Sequence, residues 1–506
     1  MKQVARQGKV FLFSIILISL LIRIISLSSQ TLWYDEAFSI LFSEKGPGAI
    51  LQGTLAMDAP TGSADIHPPA YYFLLFGWIQ VFGRSILSGR ILSILFGTGI
   101  LINVYLLAKE LLDQNTALLA SFFVAILPFQ VHYAAEIRMY SMLAFFLTLS
   151  ALAYFKALRI NSLKWWGVFV LSSAIAQYTH NLAAFFLLPL ASISLFKRNW
   201  RLVHNTCLAG LTAVILYLPW LLHLPAQFSK VQHQYWVTRP TLVKFIDLIL
   251  CYITNIPLPK NWLMPGLFIS LTCVTLCIYQ TIRASLRKSN GYKTGLLLMY
   301  LSFAPAILLW LVSQWTPVYI DRALLASHAI FCIWMAWVLI KTAMPDVIRL
   351  LMSAAVLVGA VVGLSYYYTN EGNPIDAHKT MDAYLREHMQ GNDIIIHSNK
   401  LSYLPAFYHG PDLPMLYIID EPGSMNDTLS LSTRRVLGLN YAEDIESAVG
   451  HSETVWLIIY ESAINDYTSA GYSTHPDLAY LDQHYQLVSV NNWSHVLLYE
   501  YRADGR

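Results

Sequence analysis

Along its first 365 residues the chain repeatedly turns apolar for about the length of a bilayer crossing. The runs fall at about 10–28, 91–108, 117–133, 140–156, 165–179, 182–196, 202–222, 261–281, 295–314, 323–340 and 347–365. A helix rises ~1.5 Å per residue, so runs of this length match the ~30 Å hydrocarbon layer. Of the 506 residues, 56% are hydrophobic and only 12% are charged. A soluble protein of that size could not cover its outside with so few polar groups. The expected fold class is therefore a polytopic all-α transmembrane bundle of about eleven spans, followed by a small C-terminal extracytoplasmic α/β domain. The formal net charge of +3 carries no nucleic-acid signature. The N-terminal run lacks a small-residue cleavage site where a signal peptide would have one, and it reads as an uncleaved first helix. The five cysteines, Cys207, Cys251, Cys273, Cys277 and Cys332, lie in or beside apolar runs, which argues against a disulfide framework or a zinc site.

Charge sets the expected orientation. Residues 71–83 are apolar but number only about 13, too short for a crossing, and they read as a helix lying at the interface. With that choice Lys109, Lys156, Arg159, Lys164, Lys197, Arg198, Arg201, Arg283, Arg287, Lys288, Lys293 and Lys341 fall on the cytoplasmic side, as the positive-inside bias requires. The N-terminus is then cytoplasmic and the C-terminal region extracytoplasmic, at the plasma (inner) membrane. The expected division is a catalytic membrane module over 1–365, with a first outer loop at 29–90, and a polar domain over 366–506. In that domain 393–398, 415–419, 455–460, 485–490 and 495–501 read as strands and 376–389 as a helix.

Five short motifs fall on the outer side under this topology. LWYDEAFS carries Asp35 and Glu36 just after the first helix. A carboxylate there reads either as a general base for a hydroxyl acceptor or as a solvated acid beside an aromatic belt. HPPAYYFLL begins at His67, which either contacts a substrate or phosphate or caps the loop. HYAAEIRMYSM carries Glu136, Arg138 and Tyr140, where the acid and the arginine either pair with loop partners or serve a second acid and a phosphate contact. QYTHN holds His180 in a tight turn. TPVYIDRALL holds Tyr319 and Arg322, the arginine being either a snorkelling anchor or a phosphate partner. Arg23, near the outer end of the first helix, is expected to snorkel.

The order of these motifs over about 30–330 resembles the membrane-embedded GT-C glycosyltransferases, and more narrowly the bacterial branch related to protein O-mannosyltransferases and aminoarabinose transferases. The resemblance implies a transferase that uses a polyprenyl-phosphate-linked sugar at the outer face, a cell-envelope enzyme of mannosyltransferase type moving a hexosyl or pentosyl group. It implies Asp35 as catalytic base, with Glu36 and Glu136 as further acids. It implies His67, Arg138, Tyr140, His180, Tyr319 and Arg322 as contacts to substrate or lipid phosphate. One departure is Glu136, where aminoarabinose transferases carry an aspartate. Acceptors would be a glycan, a lipid or a protein. No cofactor is required by this reading; if a divalent metal takes part, Asp35 and Glu136 would be its oxygen ligands. No nucleotide-binding glycine loop is present, which favours a lipid-linked donor. The competing reading is a lipid or sugar transporter or flippase without transferase chemistry, but such proteins tend to carry internal repeats and charges near the bilayer midplane.

Overall fold

The computed structural model describes residues 2–27, 30–58, 62–63, 67–233, 235–370, 377–421, 424 and 426–503. Contacts divide the chain into two compact units. One comprises 1–28, 66–232 and 237–371; the other comprises 29–65, 233–236 and 372–506.

The first unit is helical. Among the described residues eight helices are long and apolar enough to cross a membrane. Each of the eleven expected runs falls on a helix, and three of these are shorter: Gln114–Ile126, Leu163–Thr179, and Ala184–Phe196 with the single turn that precedes it. The run at 117–133 is not one helix. It breaks at Leu127, because Pro128 opens a new short helix, Pro128–Tyr133. Residues 71–83 form the 13-residue helix Ala70–Phe82, which starts directly after Pro69, too short for a crossing. Two further helices, Leu224–His233 and Val243–Ile253, occupy a stretch where the sequence reading has none.

The helix Leu325–Lys341 is buried at nearly every position and forms the axis of the unit. Trp337 is seated there because Gly295 opposite has no side chain; a Cβ at Gly295 would stand 2.3 Å from the indole ring. The helices Trp200–Leu221 and Asp346–Asn370 instead leave apolar side chains such as Leu211, Ile215, Leu350 and Val361 exposed, as suits lipid contact. Polar groups gather at the ends. Arg159 pairs with Glu110 at 2.7 Å, and Lys341 pairs with Asp113. Glu136, Arg138, Tyr140 and His180 lie at the other end, one length of the helix Tyr140–Ile160 away, or ~30 Å.

The second unit is α/β. Its six-stranded sheet runs in the order Tyr441–Ala442, Met415–Ile418, Ile394–His397, Thr454–Tyr460, Val496–Ala503, Tyr485–Trp493. The first four strands are parallel and the last two antiparallel, with Ile396 beside both Leu416 and Leu457. The central strands are continuous apolar runs because both faces are covered, whereas Tyr485–Trp493 at the edge leaves much of its length exposed. All five expected strands are present. The expected helix is Ala377–His388; Asp376, its first residue in the sequence reading, lies outside the described residues.

Candidate active site

In the helical unit, the turn 134–139 is held by the face of one neighbouring helix. Gly89, Ser93 and Gly97 stand four residues apart on Ile86–Leu111, so they share that face. A Cβ at Gly89 would meet Ile137 at 2.8 Å, and one at Gly97 would meet the Ala134 methyl at 2.6 Å. Between them the Ser93 hydroxyl donates to the Glu136 carbonyl. Small residues at this spacing let backbones approach closely, and here they seat the turn that carries Glu136 and Arg138.

Arg23 holds the helix break that precedes this turn. It is fully buried and donates to the carbonyls of Val124, Ala125 and Gln130 at 3.1 to 3.3 Å, and to the Ser19 hydroxyl. It therefore does not snorkel. The break at Leu127 leaves carbonyls at the end of Gln114–Ile126 without helical donors, and the guanidinium supplies them. Desolvation is tolerated because these bonds replace water.

Glu136 is buried. Its Oε1 lies 3.6 Å from His132 Nε2, and its Oε2 has no hydrogen-bond partner among the described residues. Tyr140 packs against Tyr133 and His180, with ring centroids 6.1 and 6.0 Å apart, and His67 meets His180 edge-on at 5.5 Å. The Arg322 guanidinium lies over the Tyr140 ring at 4.8 Å, a cation–π contact. His67, Tyr140, His180 and Arg322 thus form one contiguous set. Arg138 is buried on the Glu136 turn. The Tyr319 hydroxyl is buried without a hydrogen-bond partner among the described residues, and burial raises its pKa, with Asp321 adding to the effect. His180 also has a plain structural task, since its Nδ1 accepts the Leu182 amide at 3.1 Å and caps the turn. Its neighbour Asn181 is occupied by Tyr217, Trp220 and Gln227.

Three residues of this region escape the sequence reading. His132 contacts Glu136, Asn255 contacts His132, and Lys244 lies 3.4 Å from Asp321 and 3.2 Å from Asp247. The histidine stands in the HYAAE motif and the lysine in a markedly one-sided apolar helix, Val243–Ile253. Those local signals were available; the pairing across more than 70 residues was not.

In the α/β unit, Asp35 and Glu36 sit in the first turn of the helix Tyr34–Glu44, where the helix dipole favours acids. Glu36 is buried and is therefore no solvated loop acid, while Asp35 is half-buried. The Ser39 hydroxyl bonds the Asp35 carbonyl at 2.8 Å. Tyr34–Glu44 packs on the helix Lys400–His409, and the following helix, Pro47–Leu55, packs on Leu431–Leu437, where the Thr433 hydroxyl donates to the Gly53 carbonyl. Gly53 must be small, since a Cβ there would lie 2.5 Å from the Phe42 ring. Among the described residues no three His, Cys, Asp or Glu side chains converge as a metal site.

Residues 66–223 match the model of the dolichyl-phosphate-mannose-protein mannosyltransferase family. No curated protein sequence matches the chain. Among solved structures, ArnT from Cupriavidus metallidurans in the apo state superposes with a TM-score of 0.63 at 11% identity, covering 98% of each chain. The same protein bound to undecaprenyl phosphate gives 0.59 at 10% identity, over 96% of this chain and 97% of that one. The oligosaccharyltransferase AglB from Archaeoglobus fulgidus, in complex with an inhibitory peptide and a dolichol-phosphate, gives 0.53 at 10% identity, over 97% of this chain and 74% of that one. The chain therefore shares the fold of ArnT and AglB, and its segment 66–223 matches the model of a mannosyltransferase family.

Proposed function

We propose that the protein is a membrane glycosyltransferase that moves a hexosyl or pentosyl group from a polyprenyl-phosphate carrier to an acceptor hydroxyl at the extracytoplasmic face of the inner membrane. The observation that carries this reading is a coincidence. The segment with the mannosyltransferase signature contains His67, Glu136, Arg138, Tyr140 and His180, and the structure gathers His67, Tyr140 and His180 about Arg322 from a distant part of the chain. The polyprenyl phosphate bound by ArnT, and the dolichol-phosphate and peptide bound by AglB, support a lipid-linked donor and a separate acceptor here. A transporter reading has no comparable support.

In the reaction, Asp35 takes the proton of the acceptor hydroxyl as that oxygen attacks the anomeric carbon. The bond from that carbon to the phosphate oxygen breaks, and its electron pair leaves with the polyprenyl phosphate. Negative charge grows on that group, and Arg138 and Arg322 are the cations assigned to it. The Tyr140 face fixes Arg322 and, with the His180 ring beside it, lines the sugar path. No step is routed through a metal ion.

Replacing Asp35 by Asn should lower transfer at least ~100-fold, the lower range for general base catalysis, and leave membrane insertion intact. The assay is sugar transfer from a polyprenyl-phosphate donor in membranes. Full activity in that variant would remove the assignment of the base. Reporter fusions near 112, 160, 200 and 290 should all report cytoplasm, and an external signal at 200 or 290 would overturn the orientation.

A further inference from the structure

His132 is a half-buried ring whose two nitrogens meet different kinds of group. Nδ1 is 3.2 Å from the Asn255 side-chain amide, and Nε2 faces Glu136 Oε1 at 3.6 Å. The ring lies flat on Tyr133, with centroids 4.6 Å apart and planes 9° apart, and against Tyr367 at 4.7 Å. It therefore has little freedom to turn. Asn255 itself is fixed by the backbone. It takes a left-handed conformation, φ 65°, just after the helix Val243–Ile253, and its amide nitrogen bonds the Leu250 carbonyl. Asparagine is among the few residues that accept that conformation readily.

His328 supplies an internal contrast. It is fully buried in the helical unit, and its nitrogens meet the Gln130 amide and the Tyr252 carbonyl, at 3.1 and 2.9 Å. That is how a packing histidine is satisfied, by neutral groups of the fold. His132 instead aims at an acid that keeps one oxygen, Oε2, buried without a hydrogen-bond partner among the described residues. With the Asn255 N–H on Nδ1, the proton of a neutral ring sits on Nε2 and points at the carboxylate. A separation of 3.6 Å is long for a hydrogen bond, and such contacts often tighten only when substrate is bound.

We propose that His132 is a positioning residue for Glu136: braced by Asn255, it orients the carboxylate so that Oε2 is presented to the reacting sugar. This rests on the glycosyltransferase reading above. The fold needs the ring, and the reaction needs its N–H.

The test uses the full chain in detergent with undecaprenyl-phosphate mannose and, in parallel, a polyprenyl-phosphate sugar fraction extracted from host membranes. His132→Phe keeps the stacked ring and loses the N–H. It should lower kcat about 30-fold, within the range for lost orienting groups, with the apparent KM for donor changed less than about 3-fold. His132→Gln restores an N–H at similar reach and should recover most of the rate. The loss in His132→Phe should vanish in a Glu136→Gln background, because the two residues act as one unit. Asn255→Gly keeps the left-handed backbone and removes only the brace, so it serves if the Phe variant fails to melt cooperatively; it too should lower kcat at constant KM. Wild-type kcat in both His132→Phe and Asn255→Gly overturns the proposal and leaves the glycosyltransferase reading standing. So do equal losses in the Phe and Gln variants, or losses that add to that of Glu136→Gln. Failure of the wild type to transfer sugar from either donor overturns both.

Discussion

Arg23 in the helical unit and Lys400 in the α/β unit are both cations removed from water, yet they are satisfied by different means. Arg23 bonds backbone carbonyls at a broken helix end. Lys400 bonds the Asp420 carboxylate and the Asn426 carbonyl, and Arg434 nearby pairs with Asp427 at 2.9 Å. In the α/β unit, then, acids serve as counter-ions of the fold. At the candidate-site end of the helical unit the chief structural cation uses neutral partners, and Glu136 keeps a buried oxygen, Oε2, without a hydrogen bond among the described residues, although Asp321 there pairs with Lys244. The opposite end of that unit follows the α/β pattern, with Glu110 and Asp113 paired. A buried acid that the fold does not consume costs stability, and such groups concentrate where chemistry is done.

The largest expected effect follows from this contrast. Glu136→Gln should cut sugar transfer about 1,000-fold, or ~4 kcal/mol of barrier, without lowering the melting temperature. A lower melting temperature with transfer preserved would show that the fold does consume this acid, and the contrast would fail. Arg23→Met should do the reverse. It leaves buried carbonyls unpaired and should destabilise the helical unit by about 3 kcal/mol, read as a fall in melting temperature in detergent. An unchanged melt would mean that water or local adjustment replaces the guanidinium. Lys400→Met should cost less, about 2 kcal/mol, because Asp420 is partly exposed and can be rehydrated. Hydrogen exchange over Ile394–His397 and Met415–Ile418 would report it.

Much of the fold is legible in the sequence because its two periodicities are strong. The eleven apolar runs fall in helical segments, one of them broken at Leu127, and five short apolar or alternating runs became strands. The short helices Tyr34–Glu44 and Pro47–Leu55 were not legible. Helices of that length owe their stability to tertiary packing, here on Lys400–His409 and Leu431–Leu437, more than 350 residues away. The candidate site is legible in part. Glu136, Arg138 and Tyr140 announce themselves as polar or aromatic groups at the edge of an apolar run. Gly89, Ser93 and Gly97 also stand at readable spacing, but their meaning depends on the turn they receive. The His132–Glu136 contact spans only four residues, but the contacts of Asn255 with His132 and of Lys244 with Asp321 join parts far along the chain, and no local pattern carries that information. Arg23 was misread because its carbonyl partners appear only where Leu127 breaks a run that looked continuous.

The smallest effect tests a buried acid of the α/β unit. Asp477 is buried, its Oδ2 has no hydrogen-bond partner among the described residues, and burial pushes its carboxyl up to about 7. Its neighbour His475, with Nδ1 3.5 Å from that carboxylate, is pushed down to about 4, also by burial. The raised carboxyl means that the folded state holds a proton that the unfolded state has already released. Stability from this group is therefore full below the ordinary carboxylate range and is lost as pH rises toward and through 7. His475 gives the opposite slope, but only below about 6.5, where the unfolded imidazole begins to charge. The window from about 6.5 to 8 thus isolates Asp477, and stability there should fall by a little under 1 kcal/mol. Asp477→Asn should flatten that fall and raise the melting temperature of the unit at pH 8. A slope that survives the substitution would assign the proton elsewhere. A variant that melts lower at pH 8 would mean that the ionised carboxylate is used by the fold after all, as Asp420 and Asp427 are.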